Sequence, residues 1–426
     1  MKNSRYNFFF SDKNEYFIYN TLTNSFINVE KTFSDAIANN ELDFFTEEEL
    51  EVLKKMMIIT SENDENEILN KLKLNNLLHR FNTDVLSLTI TPTLSCNFDC
   101  SYCYEKNKDN IFMTNETEEK VIDFIKSYGA ISELYITWFG GEPFMFFKRI
   151  KSLSDKLKKM EINVINSIVS NGFILSKPIL DWMRNNKMGY IQITLDGLED
   201  THNLKRPHKK GRNSFLKIIK NLDVLFSTDI NIDIIIRTNI SAENEKEYHN
   251  LTEFIVNRYQ DKRLRLSPNF VIDMNDTQNL NNCMFNRTQK AQFKLNNINT
   301  KGIGFYPQLK TFDCIARQRN GFVVGANGEL YKCFEDIGNG NREIGNINNK
   351  NSFNEDLLTK YLIGADQMSD KECIDCKLLP ICNGGCPYIR IKNMENGMPN
   401  SDNCEILRNF EKEFLLSHLE QKNIKN

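Results

Sequence analysis

Cys96-Asn-Phe-Asp-Cys100-Ser-Tyr-Cys103, set just behind the apolar run Leu86-Ser-Leu-Thr-Ile-Thr91, decides how the rest of this chain is read. The spacing is CxxxCxxC. Three thiolates on one short loop can hold three irons of a [4Fe–4S] cube. No fourth cysteine lies close by, so one iron of such a cube stays open to bind and reduce a ligand. Tyr102 sits within the loop and Tyr104-Glu105 follows it. A zinc knuckle is the alternative, but zinc sites close with a second pair of ligands, and none follows in the next stretch.

Outward from the loop, residues 85–275 alternate apolar strands with amphipathic helices. Strands are expected at Leu86–Thr91, Leu134–Trp138, Val164–Val169, Tyr190–Leu195, Ile232–Arg237 and Leu264–Val271. Helices are expected at Glu116–Ser127, Phe147–Met160, Lys177–Arg184, Ser214–Leu225 and Ala242–Tyr259. This pattern predicts an α/β fold with a parallel sheet and right-handed crossovers. The strand number points to a partial (β/α)6 TIM barrel, with its chemistry at the C-terminal strand ends.

The polar motifs fall at those ends. Trp138-Phe-Gly140-Gly141-Glu142-Pro143 follows strand 2: paired glycines permit close backbone approach, and Glu142 could accept from an ammonium group. Ser170-Asn171-Gly172 follows strand 3 and reads alone as a turn. Thr194-Leu-Asp196-Gly197, with His202-Asn203 and Arg206-Pro207, follows strand 4, and Arg206 offers a fork suited to a carboxylate. Arg237-Thr-Asn239 ends strand 5.

The cysteine loop and these motifs together resemble the radical S-adenosylmethionine (SAM) enzymes. That resemblance implies that the open iron at Cys96, Cys100 and Cys103 chelates the cofactor's amino and carboxylate groups. A 5′-deoxyadenosyl radical then abstracts hydrogen from substrate. It also implies that Tyr102, Gly141, Glu142, Ser170, Thr194, Arg206 and Arg237 are cofactor contacts. Relatives often carry His-Asp where this chain has His202-Asn203, so an acidic role there does not carry over.

A second cysteine set begins at Cys314. Gly328-Glu-Leu-Tyr-Lys-Cys333 follows, then Cys373, Cys376, Cys382 and Cys386 as CxxCxxxxxCxxxC, and Cys404. The set resembles the SPASM extension of peptide- and protein-modifying radical enzymes. By that resemblance Cys373, Cys376, Cys382 and Cys404 hold a distal [4Fe–4S] cluster, and Cys314, Cys333 and Cys386 a proximal one. Three clusters are thus expected. The only candidate for a fourth proximal ligand is Cys283, whose other reading is a free buried cysteine.

Residues 1–80 stand outside the barrel. Tyr6–Phe10, Tyr16–Tyr19 and Ser25–Val29 read as a small meander, and Glu47–Met57 and Glu65–Leu78 as helices. This winged-helix-like pattern lacks the basic stripe of a DNA binder. It resembles the leader-recognition element of peptide-modifying enzymes, where a precursor peptide adds a strand to the sheet edge. A linker is expected at about 75–84, and the SPASM domain over 276–426.

The net charge of −3 over 426 residues leaves no nucleic-acid footprint, and no apolar stretch is long enough to span a membrane. The 11 cysteines, odd in number and clustered, read as ligands rather than a disulfide framework. A reducing cytoplasm is therefore expected. The resemblance implies as partners a precursor peptide with its leader and an electron donor such as flavodoxin or ferredoxin. The leading expectation is a peptide maturase of the sactipeptide or ranthipeptide type, forming a thioether crosslink. The alternative is an anaerobic sulfatase-maturating enzyme that makes formylglycine, with Glu335 and Asp336 as candidate bases near Cys333.

Overall fold

The computed structural model describes residues 1–103, 110–272, 283–298, 300, 307, 309, 314–349 and 353–425. Tyr104-Glu105 lies outside the described residues. The chain forms two compact units: one of Met1–Asn82, Phe305–Arg319 and Lys360–Asn426, the other of Thr83–Gly304 and Asn320–Thr359. The 276–426 stretch expected as a single C-terminal domain is thus divided, and most of it shares a unit with the N-terminal segment.

The larger unit is built on one largely parallel sheet. Its strands are β1 (Val85–Ile90), β2 (Glu133–Trp138), β3 (Asn163–Ser170), β4 (Met188–Thr194), β5 (Asp233–Ile240), β6 (Leu264–Phe270), β7 (Gly321–Val324), β8 (Glu329–Tyr331) and β9 (Gly345–Asn346). The order is β6-β5-β4-β3-β2-β1-β7-β8-β9. The six strands read from the sequence lie side by side and parallel, as helical crossovers require. Apolar side chains such as Leu134, Ile136, Trp138, Ile191, Ile193, Ile234 and Ile236 are buried along them, which makes register costly to shift.

The sheet does not stop at the expected six strands. β7 adds parallel to β1, pairing Gly321 with Ser87 and Val324 with Ile90. β8 and β9 follow as antiparallel strands. The hairpin carrying Gly328–Cys333 is therefore part of the main sheet. Four residues of Gly-Phe-Val-Val, distant in sequence from β1, gave no periodic signal of this.

Helices follow the expected positions with shifts at their ends. Lys177–Arg184 is as read; Ala242–Tyr259 shortens to Tyr248–Arg258 behind a 3-10 turn at Glu245–Glu247.

In the smaller unit, Asn7–Asp12, Glu15–Asn20 and Ser25–Val29 form a three-stranded antiparallel meander. Helices at Lys31–Ala38, Glu47–Lys55 and Glu62–Arg80 follow. Ile18, Ile37, Leu53, Ile58 and Ile59 are buried together. Thr46 with Glu49 and Ser61 with Asp64 form capping boxes that start the last two helices. The expected linker at 75–84 is instead largely helix: Arg80 ends it fully buried, with Nη1 on the Asp366 carboxylate at 2.7 Å.

Candidate active site

Glu142, Asn171, Asp196, Arg206 and Asn239 meet the cysteine loop at the C-terminal ends of β1–β5. The loop opens where β1 ends, and Cys100 is buried while Cys96 and Cys103 are partly exposed. Burial, with the Glu142 carboxylate nearby, pushes the Cys96 thiol up to about 12. Burial also raises Cys100. A bound cation would favour the thiolates of Cys96 and Cys100. Among the described residues no three acid, His or Cys side chains converge on a point for a single metal ion. A cubane does not require such convergence, because each thiolate binds its own iron.

The glycines after β2 allow a close approach of backbone to backbone. A Cβ on Gly141 would stand 2.4 Å from the carbonyl oxygens of Leu94 and Ser95. One on Gly140, whose φ is +120°, would stand 2.4 Å from the Thr93 carbonyl oxygen. The missing side chains make room for the backbone leading into Cys96. Gly141 N–H donates to Thr93 O at 3.2 Å and Glu142 N–H to Ser95 O at 2.9 Å, closing the two loops together.

Glu142 is fully buried. Its carboxylate accepts from the Ser170 hydroxyl (2.8 Å), the Asn171 N–H (2.8 Å) and the Phe144 N–H (3.1 Å). Burial still outweighs these bonds and lifts its pKa to about 7. Ser170 thus serves Glu142. Asn171 Nδ2 donates to Asn97 Oδ1 at 2.8 Å, supporting the cysteine loop.

Tyr102 is the hub of the other side. Its hydroxyl bonds to Asp196 Oδ2 and accepts from Arg206 Nη1 (2.6 Å) and Asn239 Nδ2 (2.9 Å). Burial drives the phenol well above its usual pKa. Asp196 is fully buried and also accepts the Asn239 N–H at 2.8 Å. Arg237 Nε donates to Asn239 Oδ1 at 2.9 Å, and Thr194 lies buried at the end of β4. The Asp196 N–H donates to His202 Nδ1 (3.3 Å), and burial with Arg206 nearby keeps His202 neutral.

Arg206, expected to meet a ligand carboxylate, here faces the Asp196 carboxylate at 3.7 Å. Its buried Nε has no hydrogen-bond partner among the described residues. A buried guanidinium with an unfilled donor beside a three-thiol loop fits a carboxylate-bearing cofactor. Sequence reading quoted Asp196 and Asn239 but gave them no place in the site, because their role appears only when β4, β5 and the loop are brought together.

Cys283 Sγ lies 3.4 Å from Glu243 Oε1, and Glu243 is held by Lys205 at 2.7 Å. The described contact of this thiol is thus a carboxylate. Asp336 is buried in the turn Phe334–Asp336, and Glu335 is partly exposed. Cys314 and Cys386 belong to the smaller unit and Cys333 to the larger.

In the smaller unit, Cys373, Cys376, Cys382 and Cys404 line one cavity with Asp370, Arg390, Glu405 and Arg408. Gly384 N–H donates to Cys382 Sγ at 3.2 Å. Arg390 Nη1 lies 3.6 Å from Cys373 Sγ, and Arg408 Nη1 3.1 Å from Cys404 Sγ. Four thiols ringed by N–H donors suit an iron–sulfur cluster, whose sulfurs take such bonds. Gly385 at φ +74° lets the chain turn: a Cβ there would meet Asn403 O at 2.0 Å.

Residues 90–255 match the Radical SAM superfamily model. This stretch is a radical SAM domain, and that family implies SAM and a [4Fe–4S] cluster. The chain is 24% identical over 360 residues to the cysteine-type anaerobic sulfatase-maturating enzyme of Clostridium novyi, covering 76% of this chain and 94% of that protein. Its fold is similar to anSMEcpe with bound AdoMet, at TM-score 0.59 and 19% identity over 79% of this chain and 97% of that one. It is also similar to SuiB of Streptococcus suis bound to S-adenosylmethionine, at TM-score 0.54 and 17% identity over 95% and 99%. Among the described residues no helix is long and apolar enough to cross a membrane.

Proposed function

We propose that this radical SAM enzyme is a maturase that oxidises a cysteine or serine side chain of a polypeptide to formylglycine. The observation that carries this reading is the run of sulfatase-maturating relatives, of both serine and cysteine types, matching 69–76% of the chain in their longer alignments. A solved structure of similar fold, anSMEcpe, holds AdoMet and the Cp18Cys peptide. This reverses the order expected from the sequence, where the thioether crosslink came first.

When bound, the cofactor and its cluster supply a carbon radical that abstracts hydrogen. This chain's own residues hold and shape the site. Cys96, Cys100 and Cys103 ligate the cluster. Gly141 and Glu142 lock the ligand loop against β2, and Asn171 braces it from β3. Arg206 offers its fork to the cofactor carboxylate, with Tyr102 and Asp196 fixing its position. Cys373, Cys376, Cys382 and Cys404 hold a second cluster. A flavodoxin or ferredoxin would deliver the electron.

The second reading, a thioether-forming maturase with residues 1–80 as its leader-recognition element, rests on a specific observation. SuiB, also crystallised with its precursor peptide SuiA, matches 95% of this chain, against 79% for anSMEcpe. The meander at 7–29 is the matching candidate for a peptide-binding edge.

The test uses the full chain, reconstituted anaerobically with iron and sulfide and given SAM, dithionite and peptide. A sulfatase-type Cys peptide should yield 5′-deoxyadenosine and an aldehyde trapped by hydrazine. Loss of one dihydrogen from a leader-bearing peptide, without aldehyde from either peptide, would select the second reading. Absence of 5′-deoxyadenosine after full cluster loading would sink both.

A further inference from the structure

Arg390 and Arg408 approach the four-thiol cavity, the first from a helix and the second from the turn before another. Arg390, from Pro387–Glu395, is buried. Its Nη2 pairs with Asp370 Oδ2 at 2.5 Å, its Nη1 donates to Gly384 O at 3.2 Å, and the same Nη1 reaches Cys373 Sγ. Asp370 Oδ1 also accepts the N–H groups of Glu372 (3.0 Å) and Cys373 (3.4 Å), so this carboxylate fixes both the arginine and the thiol it points at. Arg408 precedes the helix Glu411–Lys425 and aims Nη1 at Cys404 Sγ.

Two guanidiniums thus donate to two of the four sulfurs, on separate ligand loops. Adding an electron to a [4Fe–4S] cluster places more negative charge on its sulfurs. A donor bonded there stabilises the reduced form more than the oxidised one. Asp370, Glu372 and Glu405 line the same cavity and act in the opposite sense. The two arginines hydrogen-bond the sulfurs directly, at Cys373 and Cys404, and a charge-assisted donor at sulfur is the stronger kind of contact.

We propose that Arg390 and Arg408 are positioning residues that raise the reduction potential of the cluster held by Cys373, Cys376, Cys382 and Cys404. This rests on the reading that the cavity holds a cluster. The couple concerned takes up one electron and no proton. Neither arginine stood out in the sequence.

The experiment is an EPR-monitored redox titration of the full chain carrying Cys96→Ala, Cys100→Ala and Cys103→Ala, which silences the first cluster. Arg408→Gln should lower one auxiliary couple and leave any other unmoved. A tenfold rise in the oxidised-to-reduced ratio at fixed poise is expected, equal to about 59 mV for one electron. Arg408→Lys should recover part of that shift, and Arg390→Gln should move the same couple. Unshifted potentials at unchanged iron content overturn the proposal while leaving the cluster reading intact. No iron–sulfur signal in the parent triple variant overturns the cluster reading and this proposal with it. If Arg390→Gln loses iron, its role is structural, and the Arg408 pair alone decides.

Discussion

At the residue scale the site is held by bonds among residues from different strands. Tyr102 joins the cysteine loop to β4 through Asp196 and to β5 through Asn239. Removing its hydroxyl leaves groups on buried Asp196 and Arg206, and on half-buried Asn239, short of a partner. Tyr102→Phe should therefore cost about 1–3 kcal/mol in denaturant unfolding and weaken SAM binding by isothermal titration. Cys100→Ala should abolish 5′-deoxyadenosine formation and remove one cluster's iron; retained 5′-deoxyadenosine would contradict the loop's role. Glu142 gives a pH dependence with a definite sign. Its pKa rises from 4.5 to about 7 on folding, because burial disfavours the carboxylate. Its stabilising contribution is complete below about pH 4.5 and is lost as pH rises to about 7. The full swing is about 3 kcal/mol. Denaturant melts of the apoprotein between pH 5 and 8 should show the decline, and it should be absent from Glu142→Gln. An equal decline in that variant would assign the effect to other groups.

At the scale of elements, strand-to-loop junctions carry the precision. Gly140 and Gly141 let the β2 loop pack on the carbonyls of Thr93, Leu94 and Ser95. Gly141→Ala has no rotamer to escape into, because the obstacle is backbone. It should displace the cysteine loop and lower radical-cluster iron while leaving the four-thiol site of the smaller unit loaded. Iron counting and Mössbauer spectra separate the two. The elements themselves were largely legible. Lys177–Arg184 was read as the structure has it, and the six parallel strands lie in the expected order. Long periodic segments reveal themselves locally. β7 did not, since Gly321–Val324 is four residues long and becomes a strand only by pairing with β1.

At the scale of the molecule, the N-terminal segment is bound into the unit that contains the four thiols. Arg5 Nη2 donates to Ile374 O, Thr21 Oγ1 to Lys377 O at 2.5 Å, and Lys377 Nζ to Asn7 O at 3.0 Å, on either side of Cys376. Arg80 pairs with buried Asp366. Arg80→Ala strands that carboxylate and should cost about 3–5 kcal/mol in thermal or denaturant melts. Deleting residues 1–82 should likewise lower iron in the Cys373–Cys404 site. Full iron retention in the deletion would show that the segment is a separable tether.

The sequence alone determined the chemistry's ingredients: a three-thiol loop, a GGEP turn, a fork-bearing arginine and a second thiol set, all legible because metal-ligand spacing and strand–helix periodicity are local. Only tertiary structure decided their partners. Gly141 faces backbone, Arg206 faces Asp196, Cys283 faces Glu243, and two arginines reach sulfur. Each is a meeting of residues far apart along the chain, set by packing, burial and hydrogen-bond geometry that no local pattern encodes.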